Sequence, residues 1–323
     1  MFRYTAIEIA SAVSGELEGQ ENRTIRHLFI DSRQLVSPED SLFVAIKGQH
    51  NDGHQFITEL YKQGIRNFMV LHSWKPADSF SDALFIRVDD TLKALQHFAA
   101  WHRSRFNVKT IGITGSNGKT IIKEWLHQCL QDKWHITRSP KSYNSQVGVP
   151  LSVLLIDEST EMAIFEAGIS KPGEMERLKP VIQPSIGIFT NIGEAHQENF
   201  SSSAQKVDEK LKLFENSDVL ICCKDHEPVW QRIQHNKKLK KTDILTWSST
   251  ANADLHITGI IRENDGTIIR ALFKNENKDV FIPFTDNASV ENAIHVWLLM
   301  LYLGLHDGYI REKMARLSPV AMR

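Results

Sequence analysis

Cysteine is scarce in this sequence, neither charge sign dominates, and no apolar run is long; each shortage removes a class of protein. Only Cys129, Cys222 and Cys223 occur among 323 residues, and none belongs to a C-x-x-C pair. They offer neither a disulfide framework nor metal-type spacing, so a reducing cytoplasm is the expected compartment. Lys and Arg number 38 against 39 Asp and Glu, a formal charge of -1. No basic excess exists to hold nucleic acid. The longest apolar stretch, "VWLLMLYLGL", is about half of the ~20 residues a membrane span needs. The opening "MFRYTAIEIASAVSG" lacks the apolar core of a signal peptide, so no export and no membrane span are expected. Internal repeats and low-complexity tracts are also missing, and the basic run "HNKKLKK" at 235–241 reads as a solvated helix end.

What is present is a folded α/β pattern of a length that suits two domains. Up to about residue 88, short strands such as "HLFID", "SLFVAI" and "NFMVL" mix with helical stretches. At "DDTLKALQHFAAWHRSRF" the pattern changes: Asp89 or Asp90 can cap a helix whose Leu92, Leu95 and Phe98 share one face. The expected boundary lies just before it, giving domains at 1–88 and 89–323. Beyond it, near-continuous apolar strands ("KTIGIT", "MAIFEAG", "SIGIFTNI", "DVLICC", "DILTW") alternate with helical patterns. Such alternation predicts a doubly wound, mostly parallel sheet covered on both faces. "ADLHITGIIRENDGTIIRALF" turns on Asp265-Gly266, a hairpin signal, and with "DVFIPF" predicts an antiparallel extension. A helix over about 289–303 follows.

The chemistry starts at "ITGSNGKTIIKEW", residues 113–125. A P-loop reads G-x-x-x-x-G-K-[ST]; here Gly118, Lys119 and Thr120 supply its end, while Ile113 occupies the place of the first glycine. The shorter turn runs Gly115, Ser116, Asn117, Gly118. Strand, tight turn and helix N-terminus aim backbone N–H groups and a helix dipole at one point, and Lys119 adds a full charge, which makes an anion site. Thr120 can place a hydroxyl on a magnesium ion bridging phosphates. The competing reading is a plain glycine turn with a solvated lysine. In a doubly wound sheet, ligands bind outside the carboxyl ends of strands, so the residues ending other apolar runs matter: Glu166, then Asn191, Glu194 and His196. Lys206, Lys210 and Lys212 sit in "AQKVDEKLKLF", where lysines ordinarily keep a helix face wet. Asn287 or Ser289 reads as a helix cap with Asn292 on the first turns.

In order, TGSNGKT, FEAGIS, TNIGEAHQENF, EKLKLF and VENA resemble the Mur ligase family, ATP-dependent enzymes that build the peptidoglycan stem peptide. The short glycine turn is that family's own form. The segment "DSRQLVSPEDSLFVAIKGQHNDGHQFI" is similar to the family's uridine-nucleotide domain, so the resemblance covers essentially the whole chain. "KSYNSQVGVPLSVLL" looks most like the branch that adds D-alanyl-D-alanine to UDP-N-acetylmuramoyl-tripeptide. The resemblance implies that Lys119 and the turn hold ATP, that Thr120 and Glu166 hold one magnesium ion, and that His196 holds a second. Lys210 matches the lysine that the family carbamylates to support that second ion. Asn292 is the implied adenine contact, although Ala288-Ser289 stands where the family often has His-Asn. Asp31, Ser32, Arg33, Lys47, Asn51, Asp52 and His54 fall where the uridine nucleotide is expected, and Asn144 and Ser145 in a loop facing the muramoyl peptide.

The reaction this implies is activation of a carboxylate as an acyl phosphate, followed by attack of the D-alanyl-D-alanine amine. The chain stops at "ARLSPVAMR", where the family's central domain ends, so a third domain is expected to be missing and turnover by this stretch alone to be poor. A fused alanine racemase is a further expectation. The rival readings are a P-loop kinase or nucleotide switch, and a non-catalytic scaffold for a fused partner.

Overall fold

A computed structural model describes residues 2–19, 22–34, 37–48, 51–193 and 197–320. Two compact units form: residues 1–107 with 150–158, and 108–149 with 159–323.

The first unit is built on a five-stranded sheet. Its strands are β1 (Glu16–Glu18), β2 (His27–Phe29), β3 (Ser41–Val44), β4 (Asn67–Leu71) and β5 (Leu84–Val88), in the order β1-β5-β4-β3-β2. All neighbours are parallel except β1 and β5. Helix α1 (Thr91–Ser104) is capped by Asp90, whose carboxylate accepts from the Leu92 and Lys93 amides at 2.9 and 3.0 Å. The boundary expected before residue 89 lies instead after residue 107, because the apolar face of α1 packs within the first unit. Phe98 meets Phe2 and Tyr4 edge-on, with ring centroids 5.5 and 5.9 Å apart. His102 is fully buried between the Tyr4 hydroxyl (2.8 Å to Nδ1) and the Ile156 carbonyl (2.9 Å to Nε2). A carbonyl only accepts, so Nε2 carries the proton and Nδ1 accepts from Tyr4.

The second unit contains a nine-stranded sheet. Its strands are β6 (Lys109–Thr114), β7 (Ile136–Arg138), β8 (Met162–Glu166), β9 (Ile186–Phe189), β10 (Val219–Cys223), β11 (Asp243–Ser248), β12 (Leu255–Arg262), β13 (Thr267–Phe273) and β14 (Glu276–Ile282). They run in the order β14-β13-β12-β11-β10-β9-β6-β8-β7. From β7 to β12 every pairing is parallel, and the β12-β13-β14 extension is antiparallel, as the Asp265-Gly266 turn predicts. The central strands are buried along their whole length, which explains their unbroken apolar spelling.

Helix α4 (Asn287–Tyr302) carries most of the longest apolar stretch and buries it in the core of this unit. Among the described residues, no helix is long and apolar enough to cross a membrane. Its cap is Asp286 rather than Asn287 or Ser289: the Asp286 carboxylate accepts from the Ser289 amide at 2.9 Å. The three cysteines are buried and free, and burial pushes the Cys129 and Cys223 thiols up to about 12, so their nucleophilic thiolate forms are suppressed.

Candidate active site

Strand β6 lies between β8 and β9, where successive connections leave for opposite sides of the sheet. A doubly wound sheet opens its ligand crevice at that point, and the glycine turn emerges there. Gly115 and Gly118 adopt φ of +145° and +82°; a Cβ on Gly115 would lie 1.9 Å from Thr190 Oγ1, and one on Gly118 2.2 Å from Asn292 Oδ1. Both positions therefore demand glycine by conformation and by close approach. Asn292, on the first turns of α4, is thereby placed against the turn.

The end of β9 fixes the turn's shape. The Ser116 amide donates to Asn191 O (2.9 Å), the Asn117 amide to Asn191 Oδ1 (3.0 Å), and Thr190 Oγ1 to Asn117 O (2.6 Å). Asn191 was legible as a strand-end polar residue, but its role as a brace for the turn was not. Helix α2 (Lys119–Leu130) starts directly after Gly118.

A cavity of 330 Å³ opens beside the turn, lined in part by Gly115, Lys119, Asn144, Ser145, Lys206 and Lys210. Lys119 Nζ donates to Gly115 O (2.9 Å) and Ser116 O (3.0 Å), Lys210 Nζ to Gly115 O (3.1 Å), and Lys206 Nζ to Gly193 O (2.6 Å). Glu174 also lines the cavity, but it accepts from the Ser170 and Lys171 amides. Three amines thus meet backbone carbonyls around this cavity. Lys206 and Lys210, on helix α3 (Ser203–Leu211) where lysines ordinarily keep a face wet, are buried. Only Lys212 keeps appreciable exposure, paired with Glu176 and Glu209.

Burial, followed by the nearby Lys119 and Lys206 charges, pushes the Lys210 amine down to about 7, so near neutral pH much of it is uncharged. Burial likewise lowers Lys119, with Glu166 opposing. In the unfolded chain Lys210 reverts to about 10.4. Between pH 7 and about 10 the unfolded state then holds one more proton than the folded state, and the folded state gains stability as pH rises. Lys210→Met is expected to flatten that slope for the second unit, read by hydrogen exchange of the β8 amides across denaturant titrations from pH 7 to 9.5 in carbon-dioxide-free buffer. Identical slopes in both proteins would contradict the assignment.

Glu166, at the end of β8, is fully buried. It accepts from Thr120 Oγ1 (3.0 and 3.2 Å), Lys123 Nζ (3.0 Å) and Asn144 Nδ2 (3.3 Å). Lys123 is not marked by any motif; its i+4 spacing from Lys119 on α2, which puts both lysines on one helix face, is the signal the sequence carries for it. Among the described residues no group of three His, Cys, Asp or Glu could hold a metal unaided. A threonine hydroxyl beside one carboxylate nevertheless fits magnesium, which keeps several waters and binds through one or two carboxylates plus substrate phosphates. Glu194 and His196 lie outside the described residues.

In the first unit, Asp31 accepts from Arg33 Nε (2.9 Å) and Nη2 (2.7 Å), and this guanidinium holds the carboxyl down to about 2. Ser32 shares that turn. Lys47 and Asp52 form a backbone bridge across a turn in which the Gly48 amide donates to Asn51 O. Asp52 Oδ1 accepts from the His54 amide (3.0 Å) and pairs with His54 Nδ1 (2.5 Å), while the Leu71 amide donates to His54 Nε2 (3.0 Å). The structure thus groups these residues in two loops; Asp52 and His54 hold their own loop together.

The family model described as "Mur ligase middle domain" matches residues 113–300, and "Mur ligase family, catalytic domain" matches 24–103. The chain belongs to the Mur ligase family. Family relatives include the UDP-N-acetylmuramoyl-tripeptide--D-alanyl-D-alanine ligases of Bacillus subtilis, 29% identical over 100% of this chain and 69% of the relative, and of Haemophilus influenzae, 26% identical over 94% and 65%. The chain thus spans about two thirds of these relatives' length. The fold matches MurF from Acinetobacter baumannii with a TM-score of 0.89 at 23% identity, covering 99% of this chain and 70% of that one. It also matches the MurF ligase of Thermotoga maritima in complex with ADP, with a TM-score of 0.78 at 22% identity, covering 91% and 66%. These two likenesses establish the Mur ligase fold.

Proposed function

We propose that this chain binds ATP with magnesium at the glycine turn and serves ATP-dependent joining of D-alanyl-D-alanine to UDP-N-acetylmuramoyl-tripeptide in peptidoglycan precursor synthesis. One observation carries the reading: Lys119, Lys210 and the Thr120–Glu166 pair converge on the turn at the switch point of the sheet. The names of the full-length relatives support the choice of substrates.

Lys119 is already desolvated and held over the turn, so its charge meets a phosphate without reorganisation. Thr120 and Glu166 would hold a magnesium ion, which supplies charge neutralisation for phosphoryl transfer. Asn292 packs against Gly118 and is the proposed adenine contact. Asn144 and Ser145, on the same cavity, orient the muramoyl peptide, and its carboxylate becomes an acyl phosphate before the amine attacks. The neutral Lys210 amine is suited to add carbon dioxide: an N–C bond forms, one proton leaves to solvent, and the neutral amine becomes a carbamate anion that would be able, with His196, to support a second ion. In the first unit Asp31, Ser32, Arg33, Lys47, Asn51, Asp52 and His54 are the proposed uridine-nucleotide region.

Calorimetric titration tests the reading. Heat from UDP-N-acetylmuramoyl-tripeptide that exceeds the heat from UDP, with a non-hydrolysable ATP analogue present, is expected. A clear nucleotide signal with none from the muramoyl peptide would overturn the substrate assignment.

A further inference from the structure

The Lys123 and Glu166 side chains are both fully buried, and their ionic groups meet at 3.0 Å. An ammonium has three N–H donors, and here three acceptors surround it: Ser139 O at 2.8 Å, Lys141 O, and Glu166 Oε1. Glu124, itself paired with Arg138 at 3.0 Å, approaches the same nitrogen at 3.2 Å. Lys123 stands on helix α2, three residues after Thr120. Swinging it away would strand a buried charge, so its position is fixed.

This arrangement makes the two oxygens of Glu166 unequal. Oε1 faces an ammonium, and a second cation brought to that oxygen would meet strong repulsion in the low-dielectric interior. The Thr120 hydroxyl reaches both oxygens, Oε2 at 3.0 Å and Oε1 at 3.2 Å, but Oε2 has Asn144 Nδ2 at 3.3 Å in place of the ammonium, and among the described residues no cationic group is bonded to it. A metal ion held by Glu166 would therefore meet less repulsion at Oε2 than at Oε1. Calcium takes 6–8 oxygens and often grips a carboxylate through both, whereas magnesium keeps a compact octahedral shell.

We propose that Lys123 is a positioning residue that confines Glu166 to single-oxygen coordination and so makes the site favour a small octahedral cation over calcium. The inference rests on the assignment of Glu166 as a metal-holding carboxylate. The test is calorimetric titration of the chain with ADP at saturating magnesium, at saturating calcium and with a chelator, for the wild type, Lys123→Met, Lys123→Gln and Glu166→Gln. Circular dichroism checks that each variant is folded. The wild type is expected to bind ADP more tightly with magnesium than with calcium. Lys123→Met is expected to shrink that ratio about tenfold. Lys123→Gln removes the charge but keeps an N–H donor, should lower the ratio in the same direction, and serves if the methionine variant does not fold. A wild-type ratio near one, or a ratio unchanged in the folded lysine variants while Glu166→Gln weakens metal-dependent binding, overturns the inference and leaves the Glu166 assignment standing. Glu166→Gln with the metal dependence of the wild type removes the assignment itself.

Discussion

Glu166→Ala is expected to lower the unfolding free energy of the second unit by about 3–5 kcal/mol, the usual cost of removing one partner of a buried ion pair. The loss comes from what remains: among the described residues, the fully buried Lys123 ammonium would keep Ser139 O, Lys141 O and the more distant Glu124. Thr120 and Asn144 would each lose an acceptor as well. Because the chain forms two compact units, one unfolding midpoint would mix their stabilities. Hydrogen exchange of the β8 amides, which reads the second unit directly, is the suitable measurement. A loss below about 1 kcal/mol would mean that water screens the pair in solution.

Lys119→Met is expected to leave the fold intact and weaken binding of an ATP analogue roughly a hundredfold, the upper part of the range for charge-assisted hydrogen bonds. The fold should survive because, among the described residues, the Lys119 amine donates to the Gly115 and Ser116 carbonyls, and burial disfavours its charged form, so removing the amine also removes a desolvation cost. Titration of the variant and the wild type with the analogue in magnesium checks this. Equal affinities would mean that the phosphates do not rest on Lys119, and the nucleotide site would have to be moved.

The sheet of the second unit was legible because buried parallel strands spell themselves as apolar runs, and the Asp265-Gly266 turn marked where that pattern gives way to hairpins. The tight turn from Gly115 to Thr120 was legible because two glycines stand between an apolar run and a helical pattern; both adopt positive φ. The boundary was not: amphipathic spacing in 91–104 says that the helix has an apolar face, without saying which core receives it. Lys123 and Lys206 were hidden for a related reason. A lysine on a helix normally reaches solvent, and only the three-dimensional placement of Glu166, Gly193 and the 139–141 carbonyls shows why these two do not. The α4 cap was ambiguous because Asp286, Asn287 and Ser289 are all good capping types, and the backbone placed the carboxylate there.

The assignment of residues 150–158 to the first unit sets a constraint on the order of events during synthesis. Chains emerge from the ribosome N-terminus first, and domains ordinarily fold as they appear. Here the His102 ring donates to the Ile156 carbonyl, and Ile156 itself is fully buried. When residue 107 has been made, the first unit still lacks that carbonyl. It must wait for some fifty more residues, among them β6, the glycine turn and the whole of α2. The glycine turn is thus translated before the unit preceding it can be completed, and a truncation at residue 107 would strand the His102 donor in an unfinished core.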